Sequence, residues 1–157
     1  MRLAGKTVLI LVTDGVEEEE YKQLRRAFES EYAQVFTTTP QEYLSVESIK
    51  DGHRGEDITV DLSFDSVLSL AVNALVIPDG LLSTTALCEN LEVLDFVYTL
   101  HQREVPIFAS GEAARLLYAS HVLSEQVVVR EGTSLPYFLN QAVKVMIESA
   151  SYRRQLT

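Results

Sequence analysis

The chain has 157 residues, 46% hydrophobic and 23% charged, a size and composition that suit one globular domain with its own core and no metal or disulfide staple. Thirteen Lys and Arg against 23 Asp and Glu leave a net charge of −10, which argues against the clustered basic surface that nucleic acid and anionic membranes require. Cys88 is the single cysteine, so no disulfide can form within the chain, as expected in a reducing compartment. The first residues lack the cleavage region of a signal peptide, and no apolar run approaches the roughly 20 residues that span a bilayer. The expectation is a cytoplasmic protein.

In chain order, "KTVLILVT" is rich in β-branched residues and reads as a buried strand. "EEEEYKQLRRAFESEY" carries Tyr21, Leu24 and Phe28 at helical spacing and reads as an amphipathic helix. "AQVFTTT" is a second strand, ended by Pro40. "LSVES" and "EDITVDL" are weaker strands around a loop "KDGHRG". "SFDSVLSL" reads as a short helix with Ser63 as its cap. "ALVIP" is a buried strand, and "STTALCENLEVLDFVYTLHQ" one long helix with Leu87, Leu91, Leu94 and Val97 or Tyr98 on one face. "VPIFA" is a further buried strand, "EAARLLYAS" a helix, "QVVV" a late strand and "SLPYFLNQAVKVMIES" a terminal helix with Pro136 near its first turn. Strands without polar alternation, separated by helices, indicate a mostly parallel sheet covered on both faces. Gly15, Gly80 and Gly111 each follow a strand and precede a helix, where open α/β sheets bind ligands.

The segments "VLILVTDGVEEEEY", "VDLSFDSV", "ALVIPDG", "NLEVLDFV" and "PIFASGEAARLL" occur in this order. Together they resemble the ThiJ/PfpI family, the superfamily of parkinsonism-associated protein deglycase and PfpI-type intracellular proteases. The resemblance runs from Lys6 to Leu123 and resumes more loosely at "VVVREGTSLPYFLNQAVKVMIES". It implies a single domain over residues 1–157, folded as a flavodoxin-like three-layer α/β sandwich of the class I glutamine amidotransferase-like kind. It also implies a homodimer or larger assembly. No cofactor and no bound metal are expected.

The family carries a cysteine nucleophile on a tight strand-to-helix elbow, where backbone N–H groups can stabilise an oxyanion and the helix start lowers the thiol pKa. By this resemblance Glu20 is the glutamate that sits against the cysteine, and Gly80 donates an N–H to the oxyanion hole. The departures are specific. Ala109 aligns with the cysteine and Ser110 with the position after it, Glu112 replaces a proline, and Asp79 replaces the first glycine of a Pro-Gly-Gly turn. A stretch of family residues between "VLSEQ" and "VVVREG" is absent. The expected pocket therefore comprises Gly15, Asp79, Gly80, Ser110, Gly111 and Glu112, with Glu20, Ala109 and Ser110 as a vestigial site in which Glu20 faces an alanine.

Losing the nucleophile typically removes several orders of magnitude in rate. The reading is thus a binding or assembly domain, stress-related or regulatory, without the family's thiol chemistry. A small-molecule ligand fits that reading; nucleic acid and membrane do not. A residual hydrolase or deglycase using Glu20 and Ser110 is the alternative, although His53, His101 and His121 are poorly placed to serve as a base. Cys88 lies on a helix and reads as an inert small hydrophobe. Asp14, Glu20, Asp79 and Glu112 read as solvated side chains rather than a metal set. A receiver-type phosphoacceptor using Asp79 would need a lysine where the last strand ends in Arg130 and Glu131.

Overall fold

The computed structural model describes residues 2–122, 127–130 and 134–156. The parallel strands are β1 (Thr7–Leu11), β3 (Gln34–Thr39), β6 (Leu62–Ser63), β7 (Ala74–Ile77), β8 (Ile107–Ser110) and β9 (Val127–Arg130). They form one sheet in the order β6-β3-β1-β7-β8-β9. The β1–β3 and β1–β7 pairings run to opposite sides of β1, so β1 and β7 flank the point where strand order reverses. That is where open sheets of this kind leave a crevice at their carboxyl ends.

Strand alternation divides the core in two. Val8, Ile10, Ala74, Val76 and Phe108 face one side, against Tyr21, Leu24 and Phe28 of α1 (Glu18–Ser30) and Phe138, Ala142 and Met146 of α6 (Leu135–Leu156). Leu9, Leu11, Leu75, Ile77, Ile107 and Ala109 face the other. There they meet α2 (Phe64–Val67), α3 (Leu81–Cys88), α4 (Leu91–Gln102) and α5 (Ala114–Ala119), through Val67, Leu87, Phe96 and Leu116 among others. Successive side chains point to opposite faces and both faces are covered, so these strands read as unbroken apolar runs.

Two sequence expectations change. The long helix is two: α3 stops at Cys88, and Asn90 starts α4 by accepting from the N–H groups of Glu92 and Val93. An asparagine at an N-cap competes well with continuing a helix. The break turns the intended stripe, leaving Leu91 80% exposed while Val93, Phe96, Val97 and Leu100 are buried. Ser63 precedes α2 but makes no side-chain cap, and α2 is only four residues long.

The weaker strands are real and local. β4 (Ser45–Lys50) and β5 (His53–Thr59) form an antiparallel hairpin around Asp51 and Gly52, and β2 (Val16–Glu17) joins β4 in parallel. The expected loop is therefore largely strand. The late strand matches β9, while residues 123–126, at the break in the family resemblance, lie outside the described residues. Among the described residues, no helix is long and apolar enough to cross a membrane.

Phe108 is fully buried between Phe28 and Phe138, with ring centroids 6.3 Å away on each side. Phe108→Ala is expected to lower unfolding free energy by about 3–5 kcal/mol, read from urea denaturation.

Candidate functional site

Four consecutive glutamates lead into α1, and their surroundings separate them. Glu17 precedes the helix, and Glu18, Glu19 and Glu20 form its first turn, where negative charge suits the helix dipole. Glu18 is 1% exposed. Its Oε1 accepts from Glu56 N–H at 2.6 Å, and Lys50 Nζ lies 3.7 Å from its other oxygen and 3.4 Å from Glu19. Glu18 thus ties the β4–β5 hairpin to α1. A methyl at Gly55 would lie 2.9 Å from Glu18 Oε1 and 2.6 Å from Ser48 Oγ, so the approach needs a glycine there. Glu18 is not singled out in the sequence analysis. The missed signal was spacing: Glu18 lies three residues before Tyr21, on the stripe that continues to Leu24 and Phe28.

Glu20 is half-buried, and its Oε1 accepts a hydrogen bond from the Ser110 hydroxyl. The expectation that Glu20 faces Ala109 is corrected here. Phe108 points toward α1, Ala109 toward α4 and α5, and Ser110 toward α1 again. Period-two alternation makes Ser110 the partner, and Ala109 is a fully buried core residue of β8. Ser110 itself keeps extended backbone, φ −121° and ψ 132°. The left-handed position of the turn is Gly111, at φ +57°, a conformation that costs glycine little.

Asp79 lies over that glycine. A Cβ built on Gly111 would sit 2.4 Å from Asp79 Cγ and Oδ2. Asp79 Oδ1 accepts from Gly80 N–H at 2.8 Å and from Glu112 N–H at 2.9 Å, and its carbonyl accepts from Glu17 N–H at 3.0 Å. Gly80 and Gly15 pack against each other: a Cβ on Gly80 would fall 2.8 Å from Gly15 O, and one on Gly15 would fall 2.4 Å from Leu82 Cβ. The glycines at the crevice therefore admit neighbouring backbone and side chain.

The remaining expected residues lie around this centre. Asp14 is exposed and accepts from Glu47 N–H at 2.8 Å, and exposed Glu112 pairs with Arg115 at 3.5 Å. Among the described residues, no group of three or more His, Cys, Asp or Glu is placed to hold a metal ion. His53 lies on the hairpin, His101 lies in the last turn of α4 and His121 follows α5, and both helices return to the opposite end of the sheet from Ser110. Cys88 ends α3 half-buried, and burial pushes its thiol up despite Arg115 nearby, so it is a poor thiolate nucleophile. A cleft of about 440 Å³ lies between Asp14–Gly15, the hairpin residues Glu47, His53 and Arg54, and Leu82.

A parallel sheet with helices on both faces and a glycine turn at the end of β8 defines a flavodoxin-like α/β domain. The DJ-1/PfpI family model matches residues 6–148, and the chain belongs to that family. Catalase HPII of Pseudomonas aeruginosa is 24% identical over 143 residues, which cover 90% of this chain and 20% of the catalase. The chain thus spans about a fifth of that curated relative. Drosophila melanogaster DJ-1beta has a similar structure, with TM-score 0.72 and 17% identity over 94% of this chain and 89% of that one. A DJ-1 superfamily protein from Salmonella typhimurium has TM-score 0.72 and 20% identity over 96% and 95% of the two chains. A two-domain protein from Anabaena variabilis, with DJ-1/ThiJ/PfpI-like and ferritin-like domains, has TM-score 0.76 and 14% identity over 88% of this chain and 47% of that one.

Two outcomes are expected. Glu18→Ala should cost about 1–3 kcal/mol by orphaning the Glu56 N–H, with faster hydrogen exchange at that amide, and Glu18→Gln should cost less. Burial, with Asp79 and Asp51 nearby, raises the Glu17 carboxyl above its ordinary value. Its charged form is therefore disfavoured in the fold. The penalty is absent below the ordinary carboxylate value and full above the raised one. Glu17→Gln should stabilise the protein slightly at neutral pH, because solvent screens much of the penalty, and the gain should vanish in acid, as denaturation across pH would show.

Proposed function

We propose that this chain is a non-catalytic DJ-1/PfpI domain with a binding or assembly role, without cysteine-dependent activity. The observation that carries this reading is the turn after β8. Its left-handed residue is Gly111, which has no side chain, and the space above it holds the Asp79 carboxylate. An elbow displays a nucleophile by placing it at such a turn, with N–H groups aimed at the developing oxyanion. Here the Gly80 and Glu112 N–H groups are directed at a resident carboxylate. A negative charge in that position opposes a second one forming beside it.

The relatives support an accessory role. In the Pseudomonas aeruginosa catalase the matched region is a fifth of the protein, and in the Anabaena variabilis protein a domain of this kind accompanies a ferritin-like domain. A stress-related or regulatory role in the cytoplasm fits these relatives and the single cysteine, and self-association as a dimer is part of the proposal. The cleft beside Asp14 and the hairpin offers room for a small ligand away from the elbow.

The Ser110–Glu20 hydrogen bond favours a second reading, a hydrolase with Ser110 as nucleophile and Glu20 as its base. Against it, Ser110 is 5% exposed and sits in ordinary extended backbone. Steady-state assays with activated esters, short peptides and α-oxoaldehydes separate the two. No turnover above buffer is expected from wild type, Ser110→Ala or Glu20→Gln. Turnover by wild type that disappears in both variants would establish the hydrolase and overturn the proposal. Light scattering should report a dimer, and a strict monomer at high concentration would remove the assembly role.

A further inference from the structure

We infer that Asp79 is the resident occupant of the elbow, a side chain whose carboxylate closes this turn to external carboxylates. This deepens the non-catalytic reading and rests on it. The test reads amide signals rather than turnover, so its failure is distinguishable from a failure of that reading.

The geometry is that of a bound carboxylate supplied from within the chain. One oxygen, Asp79 Oδ1, accepts from two N–H groups on two different turns: Gly80 after β7 and Glu112 after β8. Oδ2 lies 2.4 Å from where a side chain on Gly111 would begin. The main chain that carries the carboxylate is held by Glu17 N–H on the Asp79 carbonyl. Backbone N–H groups are obligatory donors whose partners must be found, and here one side chain supplies the partner for both. Among the described residues, no Lys or Arg makes an ion pair with Asp79. Its charge therefore meets backbone N–H dipoles and the turn itself.

Glycine at position 111 and aspartate at 79 then form a matched pair. Any side chain at 111 would collide with the carboxylate, besides meeting the strain of φ +57°. Removing the Asp79 carboxylate would leave two convergent N–H groups and open space above a glycine, the features that receive a small carboxylate.

Amide-resolved nuclear magnetic resonance of the full chain tests this, with acetate as the probe at constant ionic strength. In wild type and Asp79→Asn, which keeps the acceptor oxygen, acetate should leave the Gly80 and Glu112 amide signals unmoved. In Asp79→Ala, both amides should exchange with solvent about tenfold faster, and both should shift saturably with acetate. The inference is overturned if acetate moves these amides as far in wild type as in Asp79→Ala, or if it moves them in neither. Should Asp79→Ala fail to fold, Gly111→Ala tests the same contact, because its methyl displaces the carboxylate. Faster exchange at both amides supports the inference, and unchanged protection at both overturns it.

Discussion

Phe108 and Ser110 point to one side of the sheet and Ala109 to the other, and the surroundings of β8 allow no other arrangement. Both faces of the strand are buried, so a shift by one residue would put Ala109 against α1 and Phe108 among the side chains of α4 and α5. Such a slip exchanges every core contact of the strand. Phe108, seated between Phe28 and Phe138, makes it costly. The same register sets the Ser110 hydroxyl opposite Glu20 and delivers the chain to Gly111 under Asp79. The site's residues follow from core packing several ångströms below them.

The acidic start of α1 shows how one helical turn distributes similar side chains among different tasks. Glu18 falls on the buried stripe and meets the hairpin, while Glu20, two residues on, projects toward the end of β8. Glu19 shares Lys50 with Glu18, and Glu17 lies close enough to Asp79 and Asp51 to feel their charge. Burying Glu18 is tolerable because a backbone donor and a lysine both meet it, as a buried carboxylate requires. The hairpin, the helix and the turn after β7 thus converge on one short acidic segment.

Much of this was legible in the sequence. The apolar runs of β1, β7 and β8 and the heptad-like spacing of Tyr21, Leu24 and Phe28 fix the layered sandwich, and the ordered motifs point to the family that the family model matches. Glu20, Asp79, Ser110 and Gly111 were all picked out as neighbours. The apolar run "VPIFA" ends the strand at Ala109 and so pairs Glu20 with the wrong residue, because β8 extends through Ser110. Counting alternation outward from Phe108 corrects it. The break at Asn90 was hidden because "ALCENLEVL" keeps good helix formers on both sides of a residue that acts through its cap. The contact between Asp79 and Gly111 joins residues 32 positions apart on adjacent strands' turns, and spacing alone does not report it.

The close packing of Gly15 on Gly80, and of Gly111 under Asp79, has a consequence for how this domain can change. A cysteine or serine placed at Gly111 would meet a carboxylate before it met any substrate. Exchanging Asp79 alone would leave a turn with nothing to display. Each step on the way to an open, armed elbow is by itself unfavourable or silent, so the two positions are epistatic. On the proposed reading, the path to a side chain displayed on this turn runs through a double substitution at positions 79 and 111.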